Sequence, residues 1–523
     1  DEILARHAKG PGEIAVAIVA YLGIGTANET SARLPFALLG IGSVLATALL
    51  GRRLFSPTVG FWAGALLALN GFALGLSRIV QYQPAVLLLS VLAVLCAWEF
   101  ARRGEGRWLV IAILLSGFGM LLHYEFALLA PVLLVLAWIG WRRAADKRRI
   151  LVLALIVGLL VAAVVVATYL PGVLNPRFAR TQRYLGSRLG DLGAFNIPIF
   201  VELGTFYNGT YFFAGLSLLV VAGLVVGWRR ARGRTLLLAL WFLPFFMLHL
   251  FVMQDPGTHF YLFMPSWSLL AALPLAAVAR SREIRPLLRW GLLGTLAAWL
   301  LVSAGYLYLT FFRQSPEYVA NYEQTRLPFY WAPYGKEVPQ RPRYAVPIQQ
   351  GWKTLGTLAA WGCLEGTYAS NEGSQSLRSW YLSPLQRVEF EAVPGYLFVA
   401  KHLQTRYPEY HGDRLEGYQK VGEVRVRNEP RIEIWGLEPL GISSVTFDSE
   451  EFSRVFDSAV PQLGDGPGAP DQARDVTLGG MVTLELAGLE RQTFGRGDVL
   501  HLSLVWRPEQ ALTNDYKLFV HLA

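Results

Sequence analysis

The first residues of the chain carry groups that can take part in acid–base chemistry. Asp1 and Glu2 form an acidic pair, Lys9 opens a glycine-rich elbow, and Arg33 precedes the first long apolar run. A carboxylate can take a proton from an attacking group, and a cationic side chain can hold an anionic one. We therefore interpret residues 1–34 as a catalytic loop.

A second group of cations lies in the long connection 171–209. Arg177, Arg180 and Arg183 follow one another at intervals of three residues, which places them along one face of a helix. The planar guanidinium group suits phosphate. The spacing therefore predicts phosphate binding, and a helix that only faces water or lipid headgroups is the alternative.

Three polar residues, Arg78, Gln81 and Tyr82, follow the second long apolar segment. If the helix continues to Tyr82, the three side chains share one face. An arginine at membrane depth is unfavourable unless it is paired or faces a wet cavity. We predict that these residues contact a substrate, and an arginine that reaches the interface beside a tyrosine is the alternative.

Two further turns combine carboxylates with histidine and tyrosine. His123, Tyr124 and Glu125 form the whole turn between two apolar segments. We expect them to bind substrate or carry acid–base chemistry, and a turn exposed to water is the alternative.

The second of these turns holds Asp255, His259 and Tyr261 at the same level of the membrane. The candidate ligands of the two turns are spread over separate loops, so their spacing does not indicate a zinc site. The sequence leaves a divalent metal cofactor open without requiring one, and we assign no metal ligands.

The composition places these residues in a membrane protein. Of the 523 residues, 53% are hydrophobic and only 16% are charged, whereas soluble domains carry about a quarter charged residues. The net charge of +9 comes from clusters between apolar runs, which favours a role in membrane topology over nucleic-acid binding. Two cysteines offer no disulfide framework.

Apolar segments long enough to span the membrane, or nearly so, end before residue 312. They lie at 35–50, 58–77, 84–101, 107–122, 124–141, 150–170, 210–228, 235–253, 258–279 and 287–311. Alternate connections are rich in arginine and are expected to be cytoplasmic. The other connections, the loop 1–34 and everything after residue 312 then share the outer side. Cations, aromatics and carboxylates on that side suit a substrate with an anionic head and a lipid tail.

The order of these motifs resembles a known family. The stretches 29–40, 51–55, 77–84, 122–125 and 259–265 are similar to those of GT-C glycosyltransferases of the protein mannosyltransferase and ArnT-like type, glycosyltransferase family 39. The resemblance covers roughly residues 1–312. It implies a multi-pass enzyme that takes a sugar from a polyprenyl-phosphate carrier, usually with inversion. It also implies that Asp1 is the base with Glu2 beside it, and Glu125 and Asp255 are substitutes for that role.

The chain changes character after the last apolar segment. Residues 313–440 combine a predicted helix at 351–362 with predicted strands at 387–400 and 419–435, which indicates an α/β or α+β domain. Residues 441–523 alternate in short segments that predict an incomplete β-sandwich. The expected fold is thus a loop with an interfacial helix (1–34), a polytopic α-helical membrane bundle (35–312) and two extracytoplasmic domains.

The leading hypothesis is a polyprenyl-phosphate-sugar-dependent hexosyl- or pentosyltransferase of the inner membrane that acts on an acceptor hydroxyl or amine at the outer face. Its expected partners are a protein, lipid or glycan acceptor, membrane lipids and envelope proteins that bind the outer domains, but not nucleic acid. Two alternatives stay open: a flippase for a lipid-linked glycan, and a catalytically silent scaffold with a partner-binding outer domain.

Overall fold

Helices make up most of the described chain as far as Tyr308 in the computed structural model. They are α1 (Gly12–Ile24), α2 (Glu29–Leu54), α3 (Pro57–Ala68), α4 (Gly71–Leu76), α5 (Gln83–Arg103), α6 (Gly106–Leu122), α7 (Ala130–Arg143), α8 (Lys147–Leu174), α9 (Ile197–Tyr207), α10 (Thr210–Met247), α11 (Met264–Arg280) and α12 (Pro286–Tyr308). The structure describes residues 10–25, 29–174, 186, 196–253, 259–281, 285–308, 311–312, 351–360, 364–372, 381–388, 393–401, 415–426, 429–437, 445–447, 472–478, 482–489 and 502–508.

Three short turns continue these helices. A 3-10 turn (Tyr124–Leu129) leads into α7, a π-helical turn (Leu248–Val252) ends α10, and a second 3-10 turn (His259–Phe263) leads into α11. Among the described residues, seven helical segments are long and apolar enough to span a membrane. The chain is therefore an integral membrane protein, as its composition predicts.

Several arginine-rich helix ends meet on one side of the bundle. Arg143 donates to the Ala101 carbonyl at 3.0 Å, and Arg280 donates to Thr58 at 2.7 Å. Glu99 is buried nearby and accepts from Arg103 at 2.8 Å. We call this side of the bundle the arginine-rich end and the other side the site end.

Helix α10 consists of two helical segments that meet at Ala231. Ala231 has non-helical angles, with φ −154° and ψ 53°. Residues eight positions apart in an unbroken helix are separated by about 12 Å. Gly227 nevertheless lies directly against the Thr235 side chain, in a space that a Cβ atom would fill. The chain therefore folds back here, at the arginine-rich connection predicted between the segments 210–228 and 235–253.

The helices differ in how far they are enclosed. In α5 and in α11 with its leading turn, 78% of the most apolar stretch is buried, whereas in α8 and in α12 only 6% is buried. Lipid tails accept apolar side chains, so α8 and α12 can form the periphery while α5 and α11 form the centre. The central pair begins at the site end with Gln83 and His259.

Buried asparagines fix the backbone at the site end. Asn208 follows α9 and accepts from the Gly71 N–H at 2.6 Å while donating to the Gly204 carbonyl at 3.0 Å. The Asn196 backbone N–H donates to the Leu250 carbonyl at 2.9 Å. These bonds satisfy backbone groups that would otherwise be buried without partners.

The described part of the chain after residue 350 is mainly β-structure. A six-stranded sheet has the order β2-β1-β3-β5-β4-β6. Its strands are β1 (Thr367–Ser370), β2 (Gln386–Arg387), β3 (Tyr396–Ala400), β4 (Gln419–Val426), β5 (Glu429–Gly436) and β6 (Val445–Phe447), and helix α13 (Trp352–Ala360) packs on it. Parallel and antiparallel pairs both occur, so the predicted α/β or α+β unit is confirmed. Strand β6 extends this sheet beyond residue 440.

Three antiparallel strands follow, β7 (Gln472–Leu478), β8 (Val482–Leu489) and β9 (Leu502–Pro508). They form one sheet with β8 in the middle. The described residues include no second sheet against it, so the sandwich stays a prediction.

Two carboxylates face each other across β4 and β5. Glu423 and Glu433 are directly paired, and the Lys420 Nζ lies 2.7 Å from the first and 3.5 Å from the second. Burial alone would raise the pKa of Glu423, but hydrogen bonds from Lys420 and Arg425 outweigh burial and lower it. The pKa of Glu433 is lowered in the same way, by hydrogen bonds that include one from Lys401. Both carboxylates therefore favour the ionised form.

Candidate active site

A buried polar cluster forms where three separated segments meet at the site end. The segments are the connection 77–82, the turn 123–125 and the described residues 249–253 and 259–261. The sequence predicts functional roles for residues in all three segments. The structure brings together Tyr82, His123, Tyr124, Glu125 and His259.

His123 holds the turn together. It ends α6 in an extended conformation, with φ −159° and ψ 135°, and its Nδ1 accepts from the Glu125 N–H at 3.2 Å. Its ring stacks on Tyr82 with centroids 4.3 Å apart and on Tyr124 at the same distance. The imidazole thus orients the next helical turn and one wall of the cluster at the same time.

Glu125 lies at the centre of the cluster. Only 8% of its side chain is exposed, so the alternative of a water-exposed turn is wrong for this residue. Oε1 contacts Nδ1 of His259, and Oε2 lies 3.6 Å from Nδ1 of His123. A buried carboxylate is unfavourable without such partners, because burial removes its hydration.

His249 completes the cluster and was missed by sequence analysis. It is fully buried in the π-helical turn, and its Nδ1 lies 2.7 Å from the Phe245 carbonyl. Its ring lies nearly parallel to that of His259, with centroids 5.8 Å apart. A signal was available, because an ionisable residue inside a long apolar segment is a candidate functional residue in membrane proteins.

Glu125, His249 and His259 form a group that could hold a metal ion. Each offers one ligand atom, and these atoms lie within 4.8 Å of one another. The sequence did not suggest this group, because Glu125 is separated from the two histidines by more than a hundred positions along the chain. Folding places a turn, a helix end and the start of another helix side by side.

Tyr261 is also part of this end of the bundle. Only 1% of its surface is exposed, and it lies within electrostatic reach of Tyr82 and Glu125. No hydrogen bond to its hydroxyl is found within the described residues. A buried hydroxyl usually finds a partner, and the sequence predicts that Tyr261 contacts a substrate.

Arg78 and Arg33 give the site end positive charge. Helix α4 ends at Leu76, so the condition for a shared face of Arg78, Gln81 and Tyr82, a helix that continues to Tyr82, is not met. The Arg78 guanidinium instead lies over the Phe312 ring, 5.0 Å from its centroid. Burial, and then the nearby charge of Arg33, lower the pKa of Arg78.

Gln81 lies in the same connection, directly before Tyr82. Because the connection is not helical, Arg78, Gln81 and Tyr82 do not share a helix face. Two cations that act on each other at one end of a membrane bundle form a candidate anion site.

The remaining predicted site residues lie outside the described residues. They are Asp1, Glu2, Lys9, Arg177, Arg180, Arg183 and Asp255. Gly10 is described, and it packs against the Leu121 carbonyl and the Tyr169 hydroxyl, where a Cβ atom would not fit. Leu121 is two residues from His123, so the described chain begins next to the cluster.

The chain is similar to known proteins in sequence over part of its length and in fold over most of it. Residues 13–167 match the family described as dolichyl-phosphate-mannose-protein mannosyltransferase. No curated protein matches the sequence of the chain. The fold is similar to that of ArnT from Cupriavidus metallidurans bound to undecaprenyl phosphate, with a TM-score of 0.52 and 16% identity over 82% of this chain and 88% of that one.

A second solved structure has a lower similarity. Archaeal oligosaccharyltransferase AglB from Archaeoglobus fulgidus, in complex with an inhibitory peptide and a dolichol-phosphate, has a TM-score of 0.40 and 14% identity over 80% of this chain and 54% of that one. The similarities that bear on this chain are the family match over residues 13–167 and the ArnT fold. Together they confirm the predicted resemblance: this integral membrane protein is similar to GT-C glycosyltransferases of the protein mannosyltransferase and ArnT-like type.

Proposed function

We propose that the chain is a membrane glycosyltransferase that moves a sugar from a polyprenyl-phosphate carrier to an acceptor hydroxyl or amine, with inversion at the anomeric carbon. The observation that carries the proposal is the polar cluster of Tyr82, His123, Glu125 and His259 at the site end of an ArnT-like bundle. The family match over residues 13–167 supports the same reaction class.

Arg33 and Arg78 are proposed to bind the carrier phosphate. Guanidinium groups suit phosphate, and the positive charge that the two share favours an anionic ligand between them. ArnT has been solved with undecaprenyl phosphate, which supports a carrier of that chemical class. The arginines Arg177, Arg180 and Arg183 are further candidates for the same phosphate.

The chemical step needs a base for the acceptor and charge stabilisation for the leaving group. The base takes the acceptor proton, the acceptor oxygen or nitrogen attacks the anomeric carbon, and the bond from that carbon to the phosphate oxygen breaks. The phosphate leaves with the electron pair, and nearby arginines stabilise its charge. Asp1 is the proposed base with Glu2 beside it, and Glu125 and Asp255 are the substitutes.

We further propose that the site end faces the outer side of the inner membrane, together with the domains after residue 312. The arginines gathered at the other end support this orientation. Leu437 is exposed in the sheet domain, and Ser281 ends α11 at the arginine-rich end. In a chain with Cys96 and Cys363 replaced by serine, Leu437→Cys should react with an impermeant maleimide in whole cells and Ser281→Cys should not. The reverse labelling would contradict this orientation.

A transfer assay tests the reaction. The purified full-length protein is incubated with labelled polyprenyl-phosphate sugars and candidate acceptors, and Asp1→Asn and Glu125→Gln are compared with the wild type. A general base contributes roughly 10²–10⁴-fold to a rate, so its folded variant should lose activity by that amount. Loss in Asp1→Asn supports Asp1, and loss only in Glu125→Gln moves the role to Glu125. Carrier movement across vesicles without transfer would establish a flippase instead, and neither activity would favour a scaffold.

A further inference from the structure

The cluster contains more potential metal ligands than the Glu125–His259 ion pair requires. One imidazole, that of His259, is enough to pair with the Glu125 carboxylate. A second imidazole, that of His249, comes from a different segment and lies at the same place. Imidazole nitrogen and carboxylate oxygen together form a ligand set that suits zinc-class ions better than magnesium or calcium, which prefer oxygen alone.

The orientation of His249 supports a role as a ligand. Its Nδ1 lies 2.7 Å from the Phe245 carbonyl, and a carbonyl oxygen can only accept. Nδ1 therefore carries the hydrogen, and Nε2 keeps its lone pair. A ligating histidine usually donates its other ring N–H in this manner, because that bond fixes the tautomer and the ring direction. The π-helical turn Leu248–Val252 holds the ring in place, and such turns occur often at functional sites.

His123, the third histidine of the cluster, has a structural role instead. Nδ1 of His123 accepts the Glu125 backbone N–H, so its lone pair is already used, and His123 is not among the three grouped residues. The candidate ligands are therefore Glu125, His249 and His259, without His123. It also provides a matched control, because His123 lies in the same cluster.

The spacing fits an ion after a small adjustment. Around a tetrahedral ion with ligand bonds of about 2.1 Å, the ligand atoms are about 3.4 Å apart. The three atoms here lie within 4.8 Å of one another, so side-chain rotations of about an ångström are enough to close the site.

We propose that Glu125, His249 and His259 bind one divalent transition-metal ion of the zinc class. Three protein ligands leave at least one position for water or a substrate oxygen, which is the arrangement of open rather than purely structural zinc sites. The ion would join the turn after α6, the end of α10 and the start of the α11 segment. Binding does not depend on the proposed sugar transfer.

Metal content tests this proposal directly. Tag-free, full-length protein in detergent is treated with a chelator, reloaded with zinc and desalted, and its zinc is counted by mass spectrometry. The wild type should hold about one ion per chain, and Glu125→Gln, His249→Gln and His259→Gln should each lose at least tenfold in zinc affinity. His123→Asn, whose side-chain oxygen can still accept the Glu125 N–H, should keep the ion.

Cobalt provides a readout that does not depend on the stability of the variants. Cobalt-loaded wild type should show the visible absorption of a four- or five-coordinate ion, and zinc should displace it. A wild type that binds no stoichiometric zinc, or a folded His249→Gln protein that keeps both zinc and an unchanged cobalt spectrum, would overturn the assignment.

Discussion

Replacement of either partner in the Glu125–His259 pair should show that the two side chains are energetically coupled. Both side chains are largely buried, with 8% and 13% of their surface exposed, and their polar atoms are in direct contact. A hydrogen bond to a charged group contributes about 1.5–3 kcal/mol. The costs of burying each group alone cancel in a double-mutant cycle, so the cycle should report a coupling in this range.

The assay is the free energy of unfolding in mixed detergent, measured for the wild type, Glu125→Gln, His259→Gln and the double variant, with chelator present throughout. A matched cycle pairs Glu125→Gln with Glu99→Gln, because Glu99 is a buried carboxylate at the arginine-rich end. The control coupling should stay within about 0.5 kcal/mol, since distant sites are additive. A Glu125–His259 coupling as small as the control would refute the view that this contact organises the site.

Three other outcomes follow from the contacts described above. Asn208→Ala leaves a buried backbone N–H without its acceptor and should destabilise the bundle by about 1–3 kcal/mol, whereas Ser217→Ala removes only a bond within its own helix and should change stability by less than about 0.5 kcal/mol. Thermal unfolding in detergent compares the two, and equal losses would contradict the assigned role of Asn208. Arg78→Gln should raise KM for the phosphate-linked donor by about tenfold or more with a smaller change in kcat, as expected for the loss of a charge-assisted hydrogen bond; an unchanged KM would remove Arg78 from the donor site. The lowered pKa values of Glu423 and Glu433 mean that their ionised forms stabilise β4 and β5 above the unfolded pKa of about 4.3, and that this stability is lost as the pH falls through the folded values. Hydrogen exchange of the full chain, corrected for intrinsic rates, should show less protection of β4 and β5 at pH 3.5 than at pH 7, and Glu423→Gln should reduce this difference.

The sequence predicted the architecture well because long apolar segments and arginine clusters are local signals. The fold-back of α10 at Ala231 coincides with the arginine-rich connection, and α13 lies within the helix predicted at 351–362. Each of these depends on composition over a short stretch, and neither needs a contact between distant residues.

Only part of the site was predicted, because its assembly depends on contacts between residues that are far apart in the sequence. His123, Glu125 and His259 were singled out as polar residues at apolar boundaries, but their union with His249 depends on how three segments pack. The connection after Leu76 differs from the sequence-based expectation for a local reason. A shared face of Arg78, Gln81 and Tyr82 required a helix as far as Tyr82, whereas α4 ends at Leu76 and the connection that follows is not helical.

The two peripheral helices have a consequence for how the sequence can vary. Helices α8 and α12 bury little of their apolar surface, and Leu159 and Leu301 are among their most exposed side chains. A smaller apolar side chain there leaves no cavity, because fluid acyl chains fill the space, whereas the same change in a packed core costs about 2–5 kcal/mol. Leucine, isoleucine, valine and phenylalanine should therefore exchange freely on these faces. Natural variation along α8 and α12 should depend on the composition of the host membrane more than on the chemistry of the proposed reaction.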